Sequence, residues 1–189
     1  MGLKTILWIV VILFPLSEIG LGYWKRADRG STRSEDQGSL RLLWFIIGAS
    51  IGLAIVFQSI GIGRLQGSLT IYRALALGLL LGGLAIRWSS IMTLGRLFTV
   101  DVAIHRDHAL VDHGLYKYLR HPSYTGLLMA FLGLGFSFAN WLSLAAIVVP
   151  ITLAVLNRIS KEEAVLRQAL GEAYTAYCTR TKRLLPGVL

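Results

Sequence analysis

Three groups of side chains in this 189-residue chain are equipped for chemistry, and each stands beside or within a long apolar run. In GLYKYLRHPSYTG, Gly114 to Gly126, the cations Lys117 and Arg120 and the imidazole of His121 crowd against Pro122 among Tyr116, Tyr118 and Tyr124. No charge follows from Pro122 through Asn157. Stacking faces, hydrogen-bond donors and positive charge at a helix start suit an anionic or aromatic cofactor. Arg87 interrupts the uncharged stretch LLLGGLAIRWSSIMTLG, and an ionisable group at membrane depth is costly enough to mark a functional site by default. The tail NRISKEEAVLRQALGEAYTAYCTR then supplies Arg158 with Glu162 and Glu163. Each group also has a plainer reading: an interfacial aromatic belt, a snorkelling arginine, and a surface ion pair on a helix lying on the bilayer.

The elements that must position these residues follow from composition. At 54% hydrophobic and 15% charged, the chain is more apolar and less charged than a soluble domain. Its apolar blocks are longer than a strand or core helix requires, so they must face lipid. A spanning helix needs about 20 residues. Residues 3–23, 42–62 and 71–94 each meet that need, and the run from Pro122 to Asn157 is long enough to cross as 122–139, turn near Asn140, and cross back as 141–157. The fold class predicted is all-α: a polytopic membrane protein with five transmembrane helices, a C-terminal amphipathic helix and one membrane domain over 1–189. The N-terminal run reads as a retained helix, because Glu18 and the absence of a small-residue cleavage pattern argue against a signal peptide. Nor does MGLKTI fit myristoylation, since Ile6 stands where Ser or Thr is wanted.

Five spans put the termini on opposite sides, and the positive-inside bias chooses between them. Lys25, Arg26, Arg29, Arg33 and Arg41, then Arg96, Arg106 and Lys117, then Arg158, Lys161, Arg167, Arg180, Lys182 and Arg183 share one side; Lys4, Arg64 and Arg73 share the other. The tail is predicted to be cytoplasmic and the N-terminus outside. The same bias accounts for the net charge of +9, and no basic stripe interleaved with aromatics calls for nucleic acid. KRADRGSTRSEDQGS reads as a mobile connector, and no internal repeat is apparent.

Local chemistry sharpens the picture. Pro122 suits the first turn of a helix and pushes the residue before it out of the helical region, so Arg120 and His121 fall on the loop above helix four. If helix five continues past Asn157, then Arg158, Glu162, Leu166, Leu170 and Tyr174 share a face while Glu163 points to the neighbouring one. His105, His108 and His113 match no compact metal motif and have only Asp101, Asp107 and Asp112 as carboxylates nearby, so no metal is predicted. The lone Cys178 excludes an internal disulfide.

The order MTLGRLF, HALVDHGLYKYLRHPSYTG, an apolar hairpin and RISKEEAVLRQALGEAYTAY resembles the isoprenylcysteine carboxyl methyltransferase family over Arg87 to about Tyr177. Two motifs carry the resemblance: G-x-Y-x-x-x-R-H-P-S-Y-x-G and R-I-x-x-E-E-x-x-L. It implies an integral membrane enzyme that transfers methyl from S-adenosylmethionine to a carboxylate, leaving S-adenosylhomocysteine. It further implies a cofactor-binding part over 87–180, in which His113, Gly114, Tyr116, Arg120, His121, Pro122, Tyr124, Gly126, Glu162 and Glu163 form the cofactor pocket. Arg87 and Arg158 match the family's arginines near the reacting carboxylate, and the site would face the cytoplasm.

These residue types suit the reaction. A carboxylate is already ionised at neutral pH and needs no general base; it needs alignment with the methyl and loss of its water. Joining an anion to a cation removes charge in the transition state, which favours a poorly hydrated pocket at the lipid boundary. A lipophilic small-molecule or prenylated substrate would enter sideways from the bilayer, past glycines at Gly126, Gly133 and Gly135 that permit close helix approach. Methylation of a phospholipid amine or a thiol, a carrier without catalysis, and a reductase sharing R-H-P stand as alternatives.

Overall fold

The computed structural model describes residues 2–24, 32–33, 37–98, 103–104 and 110–185. Five helices dominate: α1 (Leu3–Trp24), α2 (Gln37–Ile60), α3 (Leu69–Leu94), α4 (Pro122–Ser137) and α5 (Trp141–Arg180). A two-residue antiparallel pairing, Thr32–Arg33 with Ala103–Ile104, joins the two long connections. Among the described residues, four helices are long and apolar enough to cross a membrane: α1, α2, α3 and α5. Helix α4, at 16 residues, is about 24 Å long against a hydrocarbon core of about 30 Å. It stops short of the predicted 139 because the chain must turn there: Ala139 takes a φ of 47°, and the Asn140 side chain accepts from Leu142 N and Ser143 N to cap α5. Helix α5 starts at the predicted 141 and continues past the predicted end of its span at 157, through 40 residues with a break in helical geometry at Gly171.

Lipid-facing surface is abundant. Phe45, Ile12, Leu153 and Ile71 are each more than half exposed, while Leu80, Ile147, Ile151 and Ile159 are fully enclosed. The buried set forms one cluster drawn from all five helices, including an edge-on contact of the Phe14 and Phe131 rings at 5.1 Å. Helix α3 packs most extensively on α4, α2 on α5, and α1 on α3.

The α3–α4 contact is made backbone to backbone. A Cβ on Gly83 would lie 2.6 Å from Ala130 N and Gly126 O; one on Gly126 would lie 2.5 Å from Gly83 O and 2.6 Å from Arg87 N. Gly133 meets Ala76 O and Leu80 N in the same way, and Gly135 meets Leu144 on α5. Without a hydrophobic drive between helices in lipid, such small-residue contacts let dispersion hold them together. At the end of the bundle beside the α4–α5 turn, Asn140 Nδ2 donates to Ile62 O at 2.7 Å, Trp141 N to Gly63 O, and Leu65 N to Ala139 O. That network fixes the α2–α3 loop against the turn.

Gly126→Ala and Gly83→Ala therefore overpack an interface with no slack and should cost about 1–3 kcal/mol. The expected readout is a lower thermal midpoint of the detergent-solubilised protein. Gly48→Ala and Gly52→Ala on α2, where an added Cβ meets nothing within 4 Å, should show no fall.

Candidate active site

A cavity of about 610 Å³ runs between α1, α2, α4 and α5. Along most of its length the wall is apolar, with Val11 and Phe14 from α1, Leu43 and Ile47 from α2, and Leu127 and Phe131 from α4. At one end the character changes: Arg87, Tyr116, Arg120, His121, Tyr124, Arg158 and Glu162 all reach the wall. Seven of the residues singled out in the sequence thus share one chamber.

Helix geometry explains the polar end. Arg158 and Glu162 stand one turn apart on α5, and the first turn of α4 slots Tyr124 between them. Arg158 Nε donates to Tyr124 Oη at 2.7 Å, and Tyr124 Oη donates to Glu162 Oε2 at 3.0 Å. Arg158 Nη1 also donates to Ser39 Oγ of α2 at 3.2 Å, and Arg158 is only 3% exposed. Of the pair predicted as a possible surface ion bridge, Arg158 is buried and Glu162 half-buried, and the Tyr124 hydroxyl bonds both. Burial, reinforced by the nearby Glu162 carboxylate, pushes the Tyr116 hydroxyl far above the ordinary tyrosine range, so it stays protonated.

Glu163 behaves differently from its neighbour. It is 1% exposed and encircled by Arg120 Nε at 2.9 Å, Arg183 Nη2 at 2.7 Å and His121 Nε2 at 3.4 Å, with Arg167 a turn away at 3.7 Å. Arg120 Nη1 donates on to Thr181 O and Cys178 O. Residues 181–184 return alongside the loop: Arg120 N donates to Lys182 O, His121 N to Arg183 O, Lys182 N to Tyr118 O, and Thr125 Oγ1 to Leu184 O. Tyr177 Oη closes the knot by donating to Tyr116 O at 2.6 Å. Hydrogen bonds to Glu163 hold the Arg183 guanidinium even more firmly protonated than usual. Sequence reasoning did not single out Arg183; the only available signal was one cation among several in a basic tail.

Arg87, on α3, is not snorkelling. Its Nε and Nη2 donate to the two carboxylate oxygens of Glu18 on α1, and Nη1 donates to Ser123 Oγ at 3.0 Å and Ser123 O at 3.3 Å on α4. Both charges are buried, Arg87 at 7% and Glu18 at 9% exposed. Glu18 was missed as a site residue, although a carboxylate in an apolar run carries the same positional signal as Arg87.

The remaining candidates are not among the residues lining this cavity. Gly114 takes a φ of 59° to open the 3-10 turn Gly114–Lys117, with His113 exposed just before it. Pro122 opens α4, and Gly126 supports the Arg87 backbone. Asp112 pairs with Arg180 at 2.6 Å on the exposed surface. His105, His108, Asp101 and Asp107 lie outside the described residues, as does most of the connector around residues 25–36.

A profile of the isoprenylcysteine carboxyl methyltransferase (ICMT) family matches residues 76–168. That match covers just under half of the chain. The match takes in Arg87, the R-H-P motif and the acidic pair, and leaves out Glu18 and Arg183. Among relatives, a probable protein-S-isoprenylcysteine O-methyltransferase of Oryza sativa subsp. indica is 36% identical over 106 residues, 55% of this chain and 56% of that protein. The protein-S-isoprenylcysteine O-methyltransferase of Schizosaccharomyces pombe is 34% identical over 119 residues, 62% and 50% of the respective chains. The chain spans about half the length of the curated relatives it matches. A solved structure of the eukaryotic intramembrane Ras methyltransferase ICMT aligns with a TM-score of 0.61 at 22% identity, over 83% of this chain and 55% of that one. That likeness establishes an ICMT-like membrane fold.

The Glu18–Arg87 pair generates a test. Glu18→Leu strands a buried guanidinium and should destabilise by about 3–5 kcal/mol. Glu18→Leu combined with Arg87→Met removes both charges and should restore most of the thermal midpoint, since a buried pair replaced by apolar residues is often close to neutral.

Proposed function

We propose that this chain is an S-adenosylmethionine-dependent membrane methyltransferase that methyl-esterifies the carboxylate of a prenylated cysteine. The observation that carries the reading is the single cavity joining a long apolar wall to the Arg158–Tyr124–Glu162 end. An isoprenoid tail matches the first part and a carboxylate the second. The match of residues 76–168 to the ICMT family profile and the names of the relatives support the same chemistry.

S-adenosylmethionine supplies a sulfonium methyl that a carboxylate oxygen takes as the sulfur–carbon bond breaks, with no proton to move and no general base needed. Glu162 offers a carboxylate to the donor's ammonium, and Tyr116 and Tyr177 offer ring faces to its base. Arg87 is held by Glu18, and the cation we address to the acceptor is Arg158, which lines the cavity beside Tyr124 and Glu162. Arg158 Nε and Nη1 donate to Tyr124 Oη and Ser39 Oγ, which fix the guanidinium in position for aligning a carboxylate. The apolar wall excludes water from the anion, raising its reactivity toward a cation.

Five crossings, with the N-terminus outside and the C-terminus and site cytoplasmic, complete the proposal. Short α4 would be matched by local thinning of the bilayer at modest cost. Beyond Asn157, α5 would leave the membrane and continue as the cytoplasmic amphipathic segment. The acceptor's tail would enter from the lipid between α1 and α2, whose facing residues Val11, Ile12, Trp44 and Ile47 line the cavity.

Calorimetric titration of the purified protein with S-adenosylhomocysteine should give saturable binding that Glu162→Ala and His121→Ala weaken. Arg158→Ala should bind as wild type yet methylate an S-prenylated cysteine with kcat/KM lowered about 10- to 100-fold, as loss of a charge-assisted hydrogen bond of about 1.5–3 kcal/mol implies. Absence of donor binding by the folded wild-type protein defeats the reading.

A further inference from the structure

At the end of the bundle away from Glu162, a second cavity of about 320 Å³ is lined by Lys4 in the first turn of α1, Arg64 in the α2–α3 loop and Arg73 in the second turn of α3. No Asp or Glu stands before Glu18, between Asp36 and Asp101, or between Asp112 and Glu162, so the segments that form this end contain no carboxylate. The contrast with the other end is complete. There Arg87 meets Glu18, Arg120 and Arg183 meet Glu163, and Arg180 meets Asp112. Three cations gathered on one cavity, on the face that the positive-inside bias leaves poor in Lys and Arg, call for an anion from outside the chain.

The cavity is built on a fixed loop. Asn140 Nδ2 donates to Ile62 O, Trp141 N to Gly63 O and Leu65 N to Ala139 O, so the backbone on both sides of Arg64 is tied to the α4–α5 turn. Gly61 takes a φ of 74°, and a Cβ there would stand 3.4 Å from Arg64 Nη2, which places the guanidinium back over the loop. Tyr72 Oη donates to Gln66 O at 2.6 Å and pins the start of α3. Helix α3 opens here with no side-chain cap from Ser68, so the positive end of its dipole adds to the field of the three cations. Trp8 and Leu69, each about half exposed, belong to the same wall. A ligand in this cavity therefore meets positive charge and lipid-facing apolar surface together.

We propose that the cavity binds the phosphate headgroup of an anionic phospholipid, with the acyl chains lying along Trp8 and Leu69. Guanidinium groups make paired N–H···O bonds to phosphate oxygens, and the Lys4 ammonium adds a compact charge. Three cations outweigh the charge of one phosphodiester, so a headgroup that carries its own cation, such as choline, is disfavoured against one that carries none, such as glycerol. In the proposed orientation the lipid comes from the outer leaflet. Its binding is independent of the methyl-transfer chemistry.

The test is native mass spectrometry of the detergent-solubilised full chain, titrated with phosphatidylglycerol and in parallel with phosphatidylcholine. The wild type should retain phosphatidylglycerol in preference. Its affinity should fall about 5-fold in Lys4→Gln and about 25-fold in the double variant Arg64→Gln with Arg73→Gln, at about 1 kcal/mol per cation. Arg41→Gln, which removes an exposed cation near the start of α2 at the opposite end, should leave it unchanged. Ligand-free thermal midpoints establish that each variant is folded, and Lys4→Gln, at an exposed position, tests the cavity even if the double variant does not fold. Equal retention of the two lipids, wild-type affinity in a folded cavity variant, or a fall of the same size in Arg41→Gln overturns the proposal. Glycerol phosphate, which has the phosphate without acyl chains, should not bind at concentrations that saturate the lipid; if it binds as tightly, the ligand is a soluble phosphate and the lipid assignment falls.

Discussion

Glu163 is a carboxylate with almost no contact with solvent, and a buried anion is tolerable only when cations and hydrogen bonds replace its water. It receives Arg120, Arg183 and His121, which come from the loop before α4 and from the segment after α5. Satisfying one charge therefore obliges two distant stretches of chain to meet on α5. Once they meet, backbone bonds between 118–121 and 182–183 lock the register, and Tyr116, Arg120, His121 and Tyr124 are carried to the cavity wall. Removing one member of such a cluster exposes the others to the penalty of unpaired burial, so it acts as a unit.

A second enforced pairing lies deeper. Arg87 and Glu18 neutralise one another among apolar helices, and the backbone contact of Gly83 with Gly126 brings α3 and α4 close enough for Ser123 to complete the arginine's partners. Three helices are held at one point. Hydrocarbon offers these charges nothing, which makes the pairing selective for one arrangement of α1, α3 and α4.

Between these two anchors the cavity is left with a division of labour. Most of its wall is apolar, and its polar end presents Arg158 bonded to Tyr124 and Ser39. In the proposed reaction an anion and a cation combine without proton transfer, so positioning and dehydration are the contributions open to the protein. The adjacent glutamates divide accordingly: Glu162 reaches the cavity wall, and Glu163 is enclosed in the clamp behind it.

Local composition and periodicity determined much of this molecule. Apolar runs of about 20 residues dictate helices in lipid because every backbone polar group there must be bonded within its own segment. Pro122 marks where α4 starts, and the four-residue spacing of Arg158 and Glu162 puts both on one side of α5, apart from Glu163. The partners were decided only by the tertiary structure. Glu18 and Arg87 are 69 residues apart, and Arg183 lies 20 from Glu163 in a tail of similar cations. Neither pairing has a spacing rule, because which charge meets which depends on helix packing. The end of α4 and the bend at Gly171 were likewise set by a turn and by burial, not by any break in hydropathy.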